Sequence, residues 1–149
     1  MYSAIDIAYY FILKSKEEGK PISNLKLQKL VYLAHGIFIA NHGAPLLNEN
    51  VECWQYGPVI SVLYHKFKIY GMTDIPLNAI THDLPEFPIK VKEVLDFTWK
   101  ITKDVGAIRL SNWTHKQDSP WTNALNNKLS VVPNESIKEY FSQFEYTPA

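Results

Sequence analysis

The stretch from Leu25 to Gly43, LKLQKLVYLAHGIFIANHG, decides the fold. Leu27, Leu30, Val31, Ala34 and Phe38 recur at helical spacing, with Lys26 and Lys29 to the side, and no proline interrupts them. Ser23 or Asn24 supplies the N-cap and Gly43 the stop. Its high apolar content makes this a more buried helix than its neighbours, as expected of a chain built mainly from helices. On the N-terminal side, Ser3 caps a first helix with Asp6 three residues on. Ile5, Ala8, Tyr9 and Ile12 form its stripe, and Gly19 with Pro21 ends it.

On the C-terminal side, VECWQY (51–56) sets Val51, Cys53 and Gln55 against Glu52, Trp54 and Tyr56. This alternation suits a short strand before a Gly57-Pro58 turn. Pro58 then fits the first turn of a third helix carrying Val59, Val62, Leu63 and Phe67 to Gly71. From Met72 to Pro88 there is no period, which predicts a surface connection with a short extended piece near Ile75–Ile80. Ile89–Lys103 is helical through Val91, Val94, Leu95, Thr98 and Ile101, closed by Gly106. Ser111 is expected to cap one short helix, Ser119 with Pro120 the next, and Asn134 the last, which carries Ile137, Tyr140, Phe141 and Phe144. The expected fold is therefore mainly α (α+β): a compact single domain over residues 1–149 with six to seven helices and one or two short strands.

Composition narrows the function. Fifteen basic side chains offset 15 acidic ones, so no global field gathers nucleic acid or an anionic membrane. Lys26, Lys29, Lys66 and Lys68 are too few to change that. No apolar run is long enough to span a bilayer, and no leader pattern opens the chain, so a soluble, cytoplasmic protein is expected. The single cysteine, Cys53, excludes an internal disulfide and a CxxC pair. The five histidines, His35, His42, His65, His82 and His115, show no metal-ligand spacing. No nucleophile–base pair or phosphate loop is legible either. The residues therefore indicate no catalytic centre, no metal and no cofactor.

Four segments in order carry a resemblance. LKLQKLVYLAHG, GAPLLNENVECWQYGPVISVLYHKFKIYG, LSNWTHKQDSPW and a helix with IKEYF resemble the Panacea domain, the family of SocA-like antitoxins and phage-associated GepA-type proteins. The most specific pieces are Tyr56-Gly57-Pro58 followed by Tyr64, and Thr114-His115 followed by Pro120-Trp121. Cys53 stands where an alanine usually precedes Trp54. The resemblance implies a bacterial or phage antitoxin that binds a cognate toxin protein directly. One branch of the family instead hands its toxin to a protease.

Two readings of LSNWTHKQDSPW remain open. Trp113 and Trp121 pack on the core while His115 ties the corner through a backbone carbonyl or a carboxylate, or the corner presents an aromatic and a histidine to a partner. Trp54 is favoured as core, and Tyr56 is undecided. His65 and Lys68, on the outer side of the Pro58–Gly71 segment, are partner-facing candidates. The functional alternatives are a proteolytic adaptor and a small enzyme with a pocket of His115, Tyr56, Trp54 and Asp118. Oligomeric state stays open.

Overall fold

The computed structural model describes residues 1–149. Seven α-helices run in chain order as α1 (Ala4–Glu18), α2 (Asn24–His42), α3 (Ser61–Phe67), α4 (Ile89–Thr102), α5 (Ala107–Thr114), α6 (Pro120–Asn126) and α7 (Asn134–Phe141). A two-stranded hairpin, β1 (Glu52–Trp54) and β2 (Gly57–Val59), lies between α2 and α3. The mainly helical architecture expected from the sequence is present. No helix is long and apolar enough to cross a membrane.

α2 is the axle. It buries residues on every face, from Leu27 and Leu30 to Lys29, His35 and Ile39, and α1, α3, α4, α5 and α7 all pack on it. Such a helix has no solvent side, which is why its sequence lacks a polar face. Gly36 permits the tightest of these approaches, since a Cβ there would lie 2.5 Å from the Phe141 ring of α7. Lys26 and Lys29, expected at the side of the stripe, are both buried.

Local signals fixed several ends. Ser3 accepts from Asp6 N at 3.1 Å and Gly19 closes α1 in the left-handed region. Ser23, rather than Asn24, caps α2 by accepting from Lys26 N at 3.2 Å. Ser119 caps α6 with Pro120 at its first position.

Other expectations are corrected. Pro58 lies in β2, paired with Cys53, and the hairpin turns at Gln55-Tyr56, so α3 starts only at Ser61. A proline suits this strand because its missing N–H faces away from β1. Ser111 sits inside α5, whose N-cap is Gly106, so that glycine opens α5 where it was expected to close α4. Pro133 precedes α7, and Asn134 gives its side-chain oxygen to His35 Nε2 at 2.9 Å. Leu77–Ala79 forms a 3-10 turn in place of an extended piece. The buried stripe of α1 includes Ala4, Ile7 and Phe11, leaving Ile5 half-buried. In α4 the inward residue is Trp99, while Ile101 is 47% exposed; in α3, Val62 is exposed.

Candidate partner-binding surface

The hairpin has one covered edge and one that must be blunted. β1 is flanked by the 130–132 segment, where Cys53 N donates to Ser130 O and Val132 N to Val51 O, each at 2.8 Å. β2 is the outer strand and meets α2. There Gln28 Oε1 accepts from Ile60 N at 3.1 Å, and Lys29 Nζ donates to Pro58 O at 3.2 Å. Two polar residues of this mostly buried helix thus occupy a strand edge that would otherwise hold unpaired groups.

The corner after α5 holds the hairpin from the other side. Thr114 is buried, with its hydroxyl donating to Ser111 O at 2.7 Å, and Ser119 Oγ donates to Thr114 O at 3.0 Å. Asp118 turns the chain with φ 66°, a left-handed conformation that aspartate tolerates. His115 Nε2 then meets Tyr56 O at 2.8 Å, and Trp121 Nε1 donates to Trp54 O at 2.7 Å. The two rings lie 4.5 Å apart. The carbonyls of residues 54, 56 and 58 are therefore each held by a side chain from a different place: Trp121, His115 and Lys29.

Gly57 sits where these supports converge. Its φ is 139°, and a Cβ would lie 2.9 Å from His115 Nε2 and 3.0 Å from Lys29 Nζ. Any other residue would be both strained and in collision. Lys29 itself is 2% exposed, with Pro58 O as its hydrogen-bond acceptor and no carboxylate paired to it. Burial pushes its ammonium down to about 8. Cys53 is half-buried and its thiol is pushed up by burial, as expected of a small packing residue.

The residues singled out in the sequence thus separate into two sets. Gly57, Pro58, Thr114, Pro120 and Trp121 are buried, and His115 is half-buried; they brace the hairpin. Trp54, Tyr56, Tyr64, His65 and Lys68 face outward or stand at the margin. Trp54 is half-buried and packs edge-on to Tyr64 at 5.0 Å, so its expected place in the core is only partly met. His65 meets Tyr64 edge-on at 5.4 Å. Tyr56, at the hairpin tip, is 81% exposed. Trp113 lies elsewhere, against Tyr140 and Phe141 of α7.

A groove of about 670 Å³ opens between α2, the hairpin and the end of α3. Trp54, Tyr56, Tyr64 and Lys68 line it together with Lys29 and Met72, the last 73% exposed. Lys29, Gln28 and Met72 were not singled out as site residues. The available signal for Gln28 and Lys29 was their place beside Lys26 as polar residues inside the apolar run Leu25–Ala34. A second cavity, about 250 Å³ and apolar, lies among α2, α4, α5 and α7 and is lined by none of the outward set.

The arrangement does not assemble the pocket of His115, Tyr56, Trp54 and Asp118. His115 Nε2 is engaged by the Tyr56 carbonyl, and no hydrogen bond or ion pair joins it to the Asp118 carboxylate. No three His, Cys, Asp or Glu side chains come together as a ligand set.

Residues 27–122 match the family described as "Antitoxin SocA-like, Panacea domain". The chain belongs to the Panacea-domain family. The match ends at Thr122, just past Trp121, and so contains both the hairpin and the corner that holds it. This Panacea-domain chain is also 48% identical over 64 residues to a protein named Antitoxin SocA from Caulobacter vibrioides (strain NA1000 / CB15N). That alignment covers 43% of the chain and 34% of the relative, so it spans about a third of the relative's length. No solved structure matches the chain. The chain is thus a member of a family described as antitoxin-like, with a protein named as an antitoxin among its relatives.

Proposed function

We propose that residues 1–149 act as one Panacea-like domain that neutralises a cognate toxin by direct protein–protein binding, without catalysis, in the cytoplasm. The observation that carries this reading is Tyr56. It is 81% exposed on a hairpin whose carbonyls at 54, 56 and 58 are anchored by buried or half-buried side chains. Burial and hydrogen bonding are concentrated on holding the backbone, and the aromatic at its tip is left outside. An ordered scaffold presenting a tyrosine beside a groove of mixed aromatic and polar lining is the usual anatomy of a binding hot spot, because little conformational freedom is lost on docking. The neutral net charge and the engagement of His115 Nε2 by the Tyr56 carbonyl support binding over nucleic-acid recognition or hydrolysis.

The test is co-expression with the protein encoded by the adjacent reading frame, at controlled ratios. Binding that masks the toxin needs near-stoichiometric amounts and yields a stable complex on gel filtration. Rescue at sub-stoichiometric amounts that disappears in a protease-deficient host would replace masking with delivery to a protease. A neighbouring protein that neither arrests growth nor binds the chain would remove the antitoxin reading.

A further inference from the structure

The groove beside the hairpin is positive in a protein whose net charge is zero. Its lining holds two lysines, Lys29 and Lys68, three amides, Asn24, Gln28 and Gln55, and no acidic residue. Lys29 donates to Pro58 O alone, so an ammonium with three N–H groups meets one acceptor. All five ion pairs of the structure lie at other lysines and at His82, so no internal carboxylate offsets either lysine of the groove. Most of the remaining wall is apolar or aromatic, with Leu25, Trp54, Tyr56, Val59, Tyr64 and Met72.

Resting on the antitoxin reading, we propose that this groove receives a partner segment in which an acidic residue adjoins an apolar one. The carboxylate is drawn by Lys29 in the wall and Lys68 at the rim, and the apolar side chain lies against Trp54, Tyr64 and Met72. A carboxylate fits better than a phosphate backbone. Nucleic-acid binding draws on many exposed cations along a track, whereas here one lysine is exposed and the other is buried. A buried ammonium in a low-dielectric wall gains most from a single desolvated counter-charge. Strand addition is excluded as the mode, since α2 already occupies the outer edge of β2 through Gln28 and Lys29.

The experiment titrates the full chain, ¹⁵N-labelled, with three probes. These are a capped pentapeptide Phe-Glu-Leu-Asp-Phe, its Gln/Asn counterpart, and a short single-stranded oligonucleotide. The acidic peptide should shift the Trp54 indole, Gln28 and Gly71 signals and bind at least about tenfold more tightly than the amide peptide. Lys68→Glu, at an exposed position, should abolish that preference without changing the melting temperature, and Lys29→Met should reduce it. Equal binding of both peptides, no shift at the groove at millimolar peptide, or preferential binding of the oligonucleotide would each overturn the proposal. The peptide arm needs no toxin. Its failure alongside a stable toxin complex sinks the acidic-segment claim and leaves the antitoxin reading standing. Peptide binding with no toxin partner does the reverse.

Discussion

Replacing Lys29 by methionine should stabilise the protein at neutral pH and destabilise it in alkali. The side chain is buried and its ammonium is lowered from 10.5 to about 8 by desolvation alone. That difference corresponds to about 3 kcal/mol of unfavourable charge burial at pH 7, where the lysine is protonated in both folded and unfolded states. Methionine approximates the stem in shape and removes the charge, but leaves Pro58 O without its donor. An unsatisfied buried carbonyl costs about 1–2 kcal/mol, so the variant gains a net of about 1–2 kcal/mol at pH 7. The folded-state value lies below the unfolded one, so between pH 8 and 10.5 the unfolded chain holds more protons and wild-type stability rises with pH. Above that window the charge penalty is gone and only the lost hydrogen bond remains, making the variant the weaker by about 1–2 kcal/mol. Urea unfolding of both chains across pH 7 to 10.5 measures the difference, in which tyrosine ionisation common to both cancels. A difference independent of pH would refute the desolvated-lysine account. So would a loss of about 3–5 kcal/mol at pH 7, the mark of a broken buried ion pair.

Three further outcomes test the brace around the hairpin and the buried histidine. Trp121→Phe keeps an aromatic ring but is smaller than the indole and removes the donor to Trp54 O, and should cost about 1–3 kcal/mol in chemical melts, against about 3–5 for Trp121→Ala. Gly57→Ala should lower stability in chemical melts by about 1–3 kcal/mol from backbone strain alone, before the collision with His115 and Lys29 is added. His35 donates from Nε2 to Asn134 Oδ1, accepts at Nδ1 from Leu47 N, and is held below its usual value by burial. The folded state therefore resists its protonation, and stability should fall as pH drops below 6.5. A pH scan of melting temperature should show that fall in wild type and a flatter line for His35→Gln.

Most of the helical frame was legible in the sequence because its ends carry their own chemistry. Ser3 and Gly19 bound α1, Ser23 and Gly43 bound α2, and Ser119-Pro120 opens α6 by interactions made within a few residues. The misread positions are those whose role is set by distant partners. Proline's fixed φ suits both a helix start and an outer strand, and only pairing with Cys53 decides for the strand at Pro58. Asn134 reads as a cap until His35, far away in sequence, claims its oxygen. Lys29 at helical spacing looks like a solvated flank, because a helix buried on all sides has no polar face to mark which polar residues turn inward. The corner residues were legible as a cluster. That they hold the hairpin was not, since the carbonyls they bind belong to a segment 59 and 67 residues earlier.

The central claim is that the braced hairpin presents Tyr56 and its groove to a toxin, and affinity measures this most directly. Calorimetry of the purified complex should give a dissociation constant weakened about thirtyfold or more by Tyr56→Ala, the size of a hot-spot loss near 2 kcal/mol. The melting temperature of the free chain should stay unchanged, because the Tyr56 side chain is exposed and only its backbone carbonyl is held. Unaltered affinity in a folded Tyr56→Ala chain would place the toxin elsewhere on the protein and contradict the account.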